Sequence, residues 1–186
     1  MVKGKQTGSS RRILPSNPAA EASVLGGCII NPELVSRVRG IVAVDDFFAE
    51  RNRIVYGALL DLADSGRPID QISLADRLAA KGELDKAGGR PYVIELANST
   101  LSQLSCIDHA RIVARCSTQR CLIKTAIDIS AMAYDDQEDE AEIVAESFRM
   151  IARAAVSRRK ARGDADAESE RLFSMGLELI GMAVAR

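Results

Sequence analysis

Tryptophan is absent from this sequence, and aromatic residues of all kinds make up only 4% of it. A core without large rings is filled by Ala, Leu, Ile and Val, the filling typical of helix packing. Histidine occurs once, as His109, and the four cysteines (Cys28, Cys106, Cys116, Cys121) include no CxxC pair. Zinc-type sites need closely spaced Cys and His ligands. Cys116 and Cys121 stand five apart and point to different sides of a helix, and His109 has only Cys106 and Cys116 near ligand spacing. The thiols are therefore expected to be buried and inert, as free cysteines usually are. No metal and no cofactor are expected.

Long apolar runs are missing too. None approaches the ~20 residues of a membrane span, and no apolar segment follows the basic residues at the start. The expectation is no membrane contact and a cytoplasmic location. A formal net charge of −1 gives no global reason to expect direct nucleic-acid binding. The glycines of GKQTGSS lack the GxxxxGK(S/T) spacing by which backbone amides cradle phosphates, and GxSxG, HExxH and EF-hand patterns are absent. No catalytic residue is assigned, and the chain is not expected to be an enzyme by itself. The acidic run DDQEDEAE at 135–142 reads as a solvated turn helped by the dipole of the helix after it.

What is present is helical periodicity. Asn17 fits a helix N-cap, Pro18 the first helical position, and Glu21 the place of a capping-box carboxylate. Ala20, Val24, Gly27 and Cys28 line one face, with Leu25 beside them. The pair Gly26-Gly27 costs about 1 kcal/mol per glycine inside a helix. It reads either as a helix end or as a place where another helix backbone comes close. Short helices are expected over 33–40, 49–65, 74–81 (capped by Ser73) and 91–97, and Asp45-Asp46 cap a turn carrying Phe47 and Phe48. On the helix over 49–65 Ile54, Ala58, Leu59 and Leu62 make the apolar face, and Gly66-Arg67-Pro68 and Gly82 are stop signals.

A polar loop over 98–105 leads to the longest helical stretch, 106–134, and a second helix returns over 141–156. Two long helices with a short polar connection fold back as an antiparallel hairpin. The first carries the stripe Ile112, Cys116, Ile123, Ile127, Ser130 and a second stripe Leu122, Ala126, Ile129, Ala133. The other helix has Val144, Phe148, Ile151 and Ala155 on one face, and Ile143, Met150 and Ala154 on another. A helix apolar over more than one stripe meets more than one neighbour. The hairpin is therefore expected to self-associate, through Ile112, Cys116, Ile123, Ile127, Val144, Phe148 and Ile151. Residues 157–171 read as a charge-segregated linker. In 172–186, Phe173, Leu177, Ile180 and Val184 form a single stripe suited to partner docking. The fold class is thus all-α: a disordered basic arm (1–14), a compact globular subdomain of about five to six helices (15–104), a long antiparallel hairpin (105–156), the linker, and a C-terminal linker-type helix.

The ordered tokens also resemble a known family. Pro15 followed by AAEASVLGGCIIN resembles the opening helix of the N-terminal domain of the DnaB-family replicative DNA helicases. The resemblance continues through Asp46-Phe47-Phe48, Leu60 to Ala63, Gly66-x-Pro68-Ile69-Asp70 with Leu74-Ala75, and Gly82-Glu83-Leu84. Gly88-Gly89, Tyr92, Glu95-Leu96 and Ala110-Arg111-Ile112-Val113 follow in order. His109 stands where the family often has tyrosine, Asn52 where it often has histidine, and Leu101-Ser102 replaces a Thr/Pro-type loop.

The resemblance implies a helical domain whose hairpin pairs with a second copy, three pairs forming a collar above a hexameric motor. It also implies docking of primase or a helicase loader, and a linker helix that packs on the adjacent subunit's motor. No ATPase domain is present in these residues. The function expected is a non-catalytic DNA-replication module that forms a homo-oligomer (a dimer or a trimer of dimers). Its partners would be primase, a helicase loader or a replicative helicase. The alternatives are the collar domain or fragment of a complete helicase whose motor lies elsewhere, and a decoy inhibitor, as from a phage, of a host helicase.

Overall fold

The computed structural model describes residues 13–99, 105–134 and 139–162. Among these the regular elements are helical throughout: α1 (Pro18–Ile30), α2 (Leu34–Arg39), a 3-10 turn (Val44–Asp46), α3 (Glu50–Asp64), α4 (Gln71–Ala80), α5 (Gly89–Asn98), α6 (Cys106–Ala133) and α7 (Glu140–Arg162). The all-α class expected from the sequence is found, with α1 to α5 as a head and α6 and α7 as the hairpin.

Helix α1 starts as its first residues dictate. Asn17 Oδ1 accepts from the Ala20 amide at 3.0 Å, and Pro18 occupies the first position. Such a cap contributes about 1 kcal/mol. Burial, however, extends beyond one face: Glu21, Gly26 and Ile29 are buried along with Ala20, Val24, Leu25, Gly27 and Cys28. A helix buried nearly all round is one that neighbours surround, and α2, α3, α5 and α6 all pack on α1. The glycine pair lies inside the helix and does not end it. A Cβ on Gly27 would sit 2.9 Å from Cys106 Sγ, so the missing side chain is what lets the start of α6 close on α1. The approaching atom is a side-chain sulfur and not a helix backbone. Cys28 is fully buried, and its thiol is pushed far above the ordinary range by its hydrogen bond with Cys106 and by burial. Such a thiol is inert.

Helix α3 turns Val55, Tyr56, Ala58, Leu59 and Leu62 inward, while Ile54 is half-buried, so its inner face is centred one residue later than the sequence suggested. The Phe47 and Tyr56 rings meet at 4.9 Å between centroids, and the Tyr56 hydroxyl donates to Val42 O at 3.3 Å. Gly66, at φ +62°, lets Arg67 N reach back to Leu62 O at 3.0 Å and stops the helix.

Three boundaries differ from the sequence expectation. Helix α4 is capped by Asp70 and not Ser73: Asp70 Oδ1 accepts from the Ile72 and Ser73 amides at 2.8 and 2.9 Å. The Ser73 hydroxyl donates to Asp70 Oδ2. Asp70 wins because its extended backbone aims the carboxylate at the first turn. Helix α5 begins two residues before Pro91, which places the proline in the first turn, where an N–H has no helical acceptor. Helix α7 runs to Arg162 and takes in the basic half of the stretch expected as linker. Lys, Arg and Ala are strong helix formers, and positive charge suits a helix C-terminus.

Candidate functional site

The first half of α6 belongs to the head. Cys106, Ala110, Val113 and Ala114 are part of its core, and His109 Nδ1 lies 2.7 Å from Ser23 Oγ on α1. Ile112 is half-buried against the same core, and Cys116 is buried. Arg120 then fixes the point where α6 leaves the head. Its guanidinium donates to Pro15 O at 2.8 Å and Asp46 O at 2.6 Å, and its Cζ stands over the Phe48 ring at 5.4 Å. A planar, permanently charged fork suits two carbonyls and a ring at once.

Glu21 holds the other side of this junction. It lies one residue past the capping-box position of α1 and serves α3 instead, accepting from the Phe48 amide at 2.7 Å and from Asn52 Nδ2 at 2.7 Å. Asn52 Oδ1 accepts from the Tyr92 hydroxyl at 2.5 Å, and Arg51 stacks on the Tyr92 ring at 4.0 Å. Burial raises the Tyr92 phenol, which keeps it a neutral donor. The chain Glu21–Asn52–Tyr92 ties α1, α3 and α5 together, and Asn52 is the member that both donates and accepts.

Beyond Arg120 the hairpin stands clear of the head. Along α6 the half-buried positions Cys121, Thr125, Asp128, Ile129 and Met132 recur at helical spacing and mark the side that α7 covers. On α7, Ala145 and Ala154 are buried and Ile143 and Met150 half-buried. The residues left in solvent include large apolar ones: Leu122, Ile123 and Ile127 on α6, and Val144, Phe148 and Ile151 on α7. Ile127 is 62% exposed although it sits mid-helix.

Of the seven residues expected to form the association surface, Ile123, Ile127, Val144, Phe148 and Ile151 are exposed on the hairpin, whereas Ile112 and Cys116 lie nearer the head and are covered. Leu122 was placed in the second stripe by its spacing but is exposed beside Ile123. Arg120, whose acceptors are backbone carbonyls distant in sequence, left no pattern to read. The docking stripe Phe173, Leu177, Ile180 and Val184, residues 1–12 of the basic arm expected over 1–14, and residues 135–138 of the acidic turn lie outside the described residues. Among the described residues no group of three or more His, Cys, Asp or Glu side chains could hold a metal ion, and no helix is long and apolar enough to cross a membrane.

The geometry is that of a helical head bearing a projecting hairpin with an uncovered apolar surface. Its class is that of all-α domains built as a head and hairpin. The family model for the DnaB-like helicase N terminal domain matches residues 13–115, and the chain belongs to that family.

The replicative DNA helicase DnaC of Bacillus subtilis is 30% identical over 144 residues, covering 77% of this chain and 32% of the helicase. DnaB of Geobacillus stearothermophilus is 32% identical over 154 residues, covering 83% and 34% respectively. The chain thus spans about a third of the length of these relatives. The crystal structure of the N-terminal domain of DnaB helicase from Mycobacterium tuberculosis superposes with a TM-score of 0.70 at 30% identity, over 74% of this chain and 96% of that one. A DnaB-like replicative helicase described with its interactions with primase gives a TM-score of 0.57 at 24% identity, over 86% of this chain and 35% of that one. It supports the fold.

Proposed function

We propose that this chain is a non-catalytic assembly module of DNA replication, self-associating through its hairpin and docking primase, a helicase loader or a replicative helicase in the cytoplasm. The observation that carries the reading is the hairpin surface in a member of a helicase N-terminal-domain family. Leu122, Ile123, Ile127, Val144, Phe148 and Ile151 present apolar area to solvent along two helices that have no other cover among the described residues. Contiguous exposed apolar surface of this kind marks protein contact sites. The span of about a third of its relatives' length favours a second reading, in which the same surface belongs to the collar of a complete helicase.

The test is sedimentation of the purified chain over a concentration series, followed by binding to purified primase and to replicative helicase from the same cells. An assembly larger than a monomer at micromolar concentration, together with retention of primase or helicase, is expected. The chain should hydrolyse no ATP, since no group among the described residues is arranged to hold phosphates and Mg²⁺ in line. A strictly monomeric chain that retains neither protein would overturn the reading.

A further inference from the structure

An open cleft of about 580 Å³ lies on the head where the end of α2 faces α6, with Gly40 and Ile41 on one side and Arg111, Arg115 and Gln119 on the other. Arg111 is paired only with Asp108, one turn away on the same helix, in a bond whose partners are both about 70% exposed. Exposed pairs of this kind hold a side chain weakly. Arg115 is exposed and makes no ion pair among the described residues. Arg37, one turn before Ile41, is likewise exposed without an ion pair among them and adds charge of the same sign on the α2 side. No acidic residue lines the cleft. It therefore presents positive charge that the head does not use.

The walls differ in chemistry. On the α6 side two guanidinium groups stand one turn apart, about 6 Å along the helix axis. Facing them, Ile41 is half-buried, and Ala114 is buried between the arginines in sequence, so the floor is apolar. In an extended peptide alternate side chains point the same way about 7 Å apart, and the residue between them points to the other side. A segment of the pattern acid, apolar, acid laid along the cleft thus places both carboxylates on the arginines and its apolar side chain on Ile41. Charge-assisted bonds from a guanidinium fork to a carboxylate are among the stronger polar contacts. Single-stranded nucleic acid fits less well, because no aromatic residue lines the cleft for a base to stack on. The cleft is also too open to enclose most of a small ligand's surface, as small-molecule sites do.

We propose that this cleft docks an extended acidic segment of a partner protein, with two carboxylates on Arg111 and Arg115 and the apolar residue between them on Ile41. This is a contact surface on the head, apart from the exposed apolar residues of the hairpin, and it needs no second copy of the chain. Its charge selects the partner and speeds encounter more than it adds affinity.

The test is titration of the isotope-labelled full chain, followed through its amide NMR signals, with a peptide carrying Glu-Leu-Glu in a Gly/Ser frame. Saturable shifts are expected at Ile41, Arg111, Arg115 and Gln119, with binding weakened by raised salt. Arg111→Glu with Arg115→Glu, two exposed positions, should keep the helical signal and weaken binding about tenfold or more. A Glu-Gly-Glu peptide should bind several-fold more weakly, and a Gln-Leu-Gln peptide should leave these signals unmoved. Absence of saturable shifts, or equal binding by the double variant, would overturn the proposal. Tighter binding of single-stranded oligothymidylate than of the peptide at the same residues would assign the cleft to nucleic acid and overturn it as well. Sedimentation of the same samples keeps the two readings apart: a monomeric chain that shows the shifts loses hairpin association and keeps the cleft.

Discussion

Gly27 is a closely packed point of the head, and its cost of about 1 kcal/mol in helix propensity is offset by what it admits. A methyl group there would meet Cys106 Sγ at 2.9 Å and its Cβ at 3.2 Å. Gly27→Ala gains propensity but overpacks the joint, and overpacking typically costs about 1–3 kcal/mol. A net destabilisation of about 1 kcal/mol is expected in urea unfolding. Adding Cys106→Ala should return part of it, since the nearest atom is then gone; strict additivity of the two changes would show that this contact is not the cause. Asp70 gives a prediction in pH. Hydrogen bonds from the Ser73 backbone and hydroxyl, then from Ile72, hold its carboxyl below the ordinary value near 4. A depressed folded pKa means that the cap stabilises above the unfolded pKa and is lost as pH falls through the folded one. Asp70→Ala should therefore cost about 1 kcal/mol at pH 7, and the gap to wild type should close below about pH 4. A gap that persists at pH 2 would assign the effect to packing. Residues whose partners are local were readable from the sequence, as Asn17 with Ala20 and Gly66 with Ala63 show. Glu21 was not, because its partners Phe48, Ala49 and Asn52 lie at the start of α3 and just before it, and spacing within α1 pointed to the wrong helix end.

At the scale of elements, the hairpin shows what periodicity can and cannot separate. The sequence displayed two apolar stripes on each long helix and so required two neighbours. On α7 the division held, with Ile143, Met150 and Ala154 covered and Val144, Phe148 and Ile151 exposed. On α6 it did not, since Leu122 and Ala126 of one stripe are exposed beside Ile123 and Ile127 of the other, while Thr125 and Asp128 face the covered side. The side a helix buries is set by the neighbour's position, which spacing along one chain does not contain. Because Ile123 and Ile127 are exposed in the single chain, replacing both with Asp should leave the helical signal and the unfolding midpoint nearly unchanged. Self-association should fall by tenfold or more, as unpaired charge enters an apolar contact. Loss of the fold in this variant would instead place these residues in the internal core.

For the whole molecule, the passage from the short helices to the two long ones was legible because the polar stretch at 98–105 separates them, whereas α7 crosses the expected linker start and ends at Arg162. Deleting 172–186 removes the stripe Phe173, Leu177, Ile180 and Val184. It is expected to leave the stability of the head unchanged while weakening higher assembly or helicase binding. Equal sedimentation and equal helicase retention with and without those residues would assign the segment no part in association. The seat of α6 has a mechanical consequence. Arg120, held by the Pro15 and Asp46 carbonyls, acts as a fulcrum. From it α6 runs fourteen residues back to Cys106 and thirteen forward to Ala133, arms of about 20 Å each at 1.5 Å per residue. Because the arm behind Arg120 is seated along Cys106, Ala110, Val113, Ala114, Cys116 and Ser117, a sideways load at the tip of the hairpin is taken up over that whole length. The core of the head along this half of α6 therefore bears the thrust of whatever pushes on the hairpin.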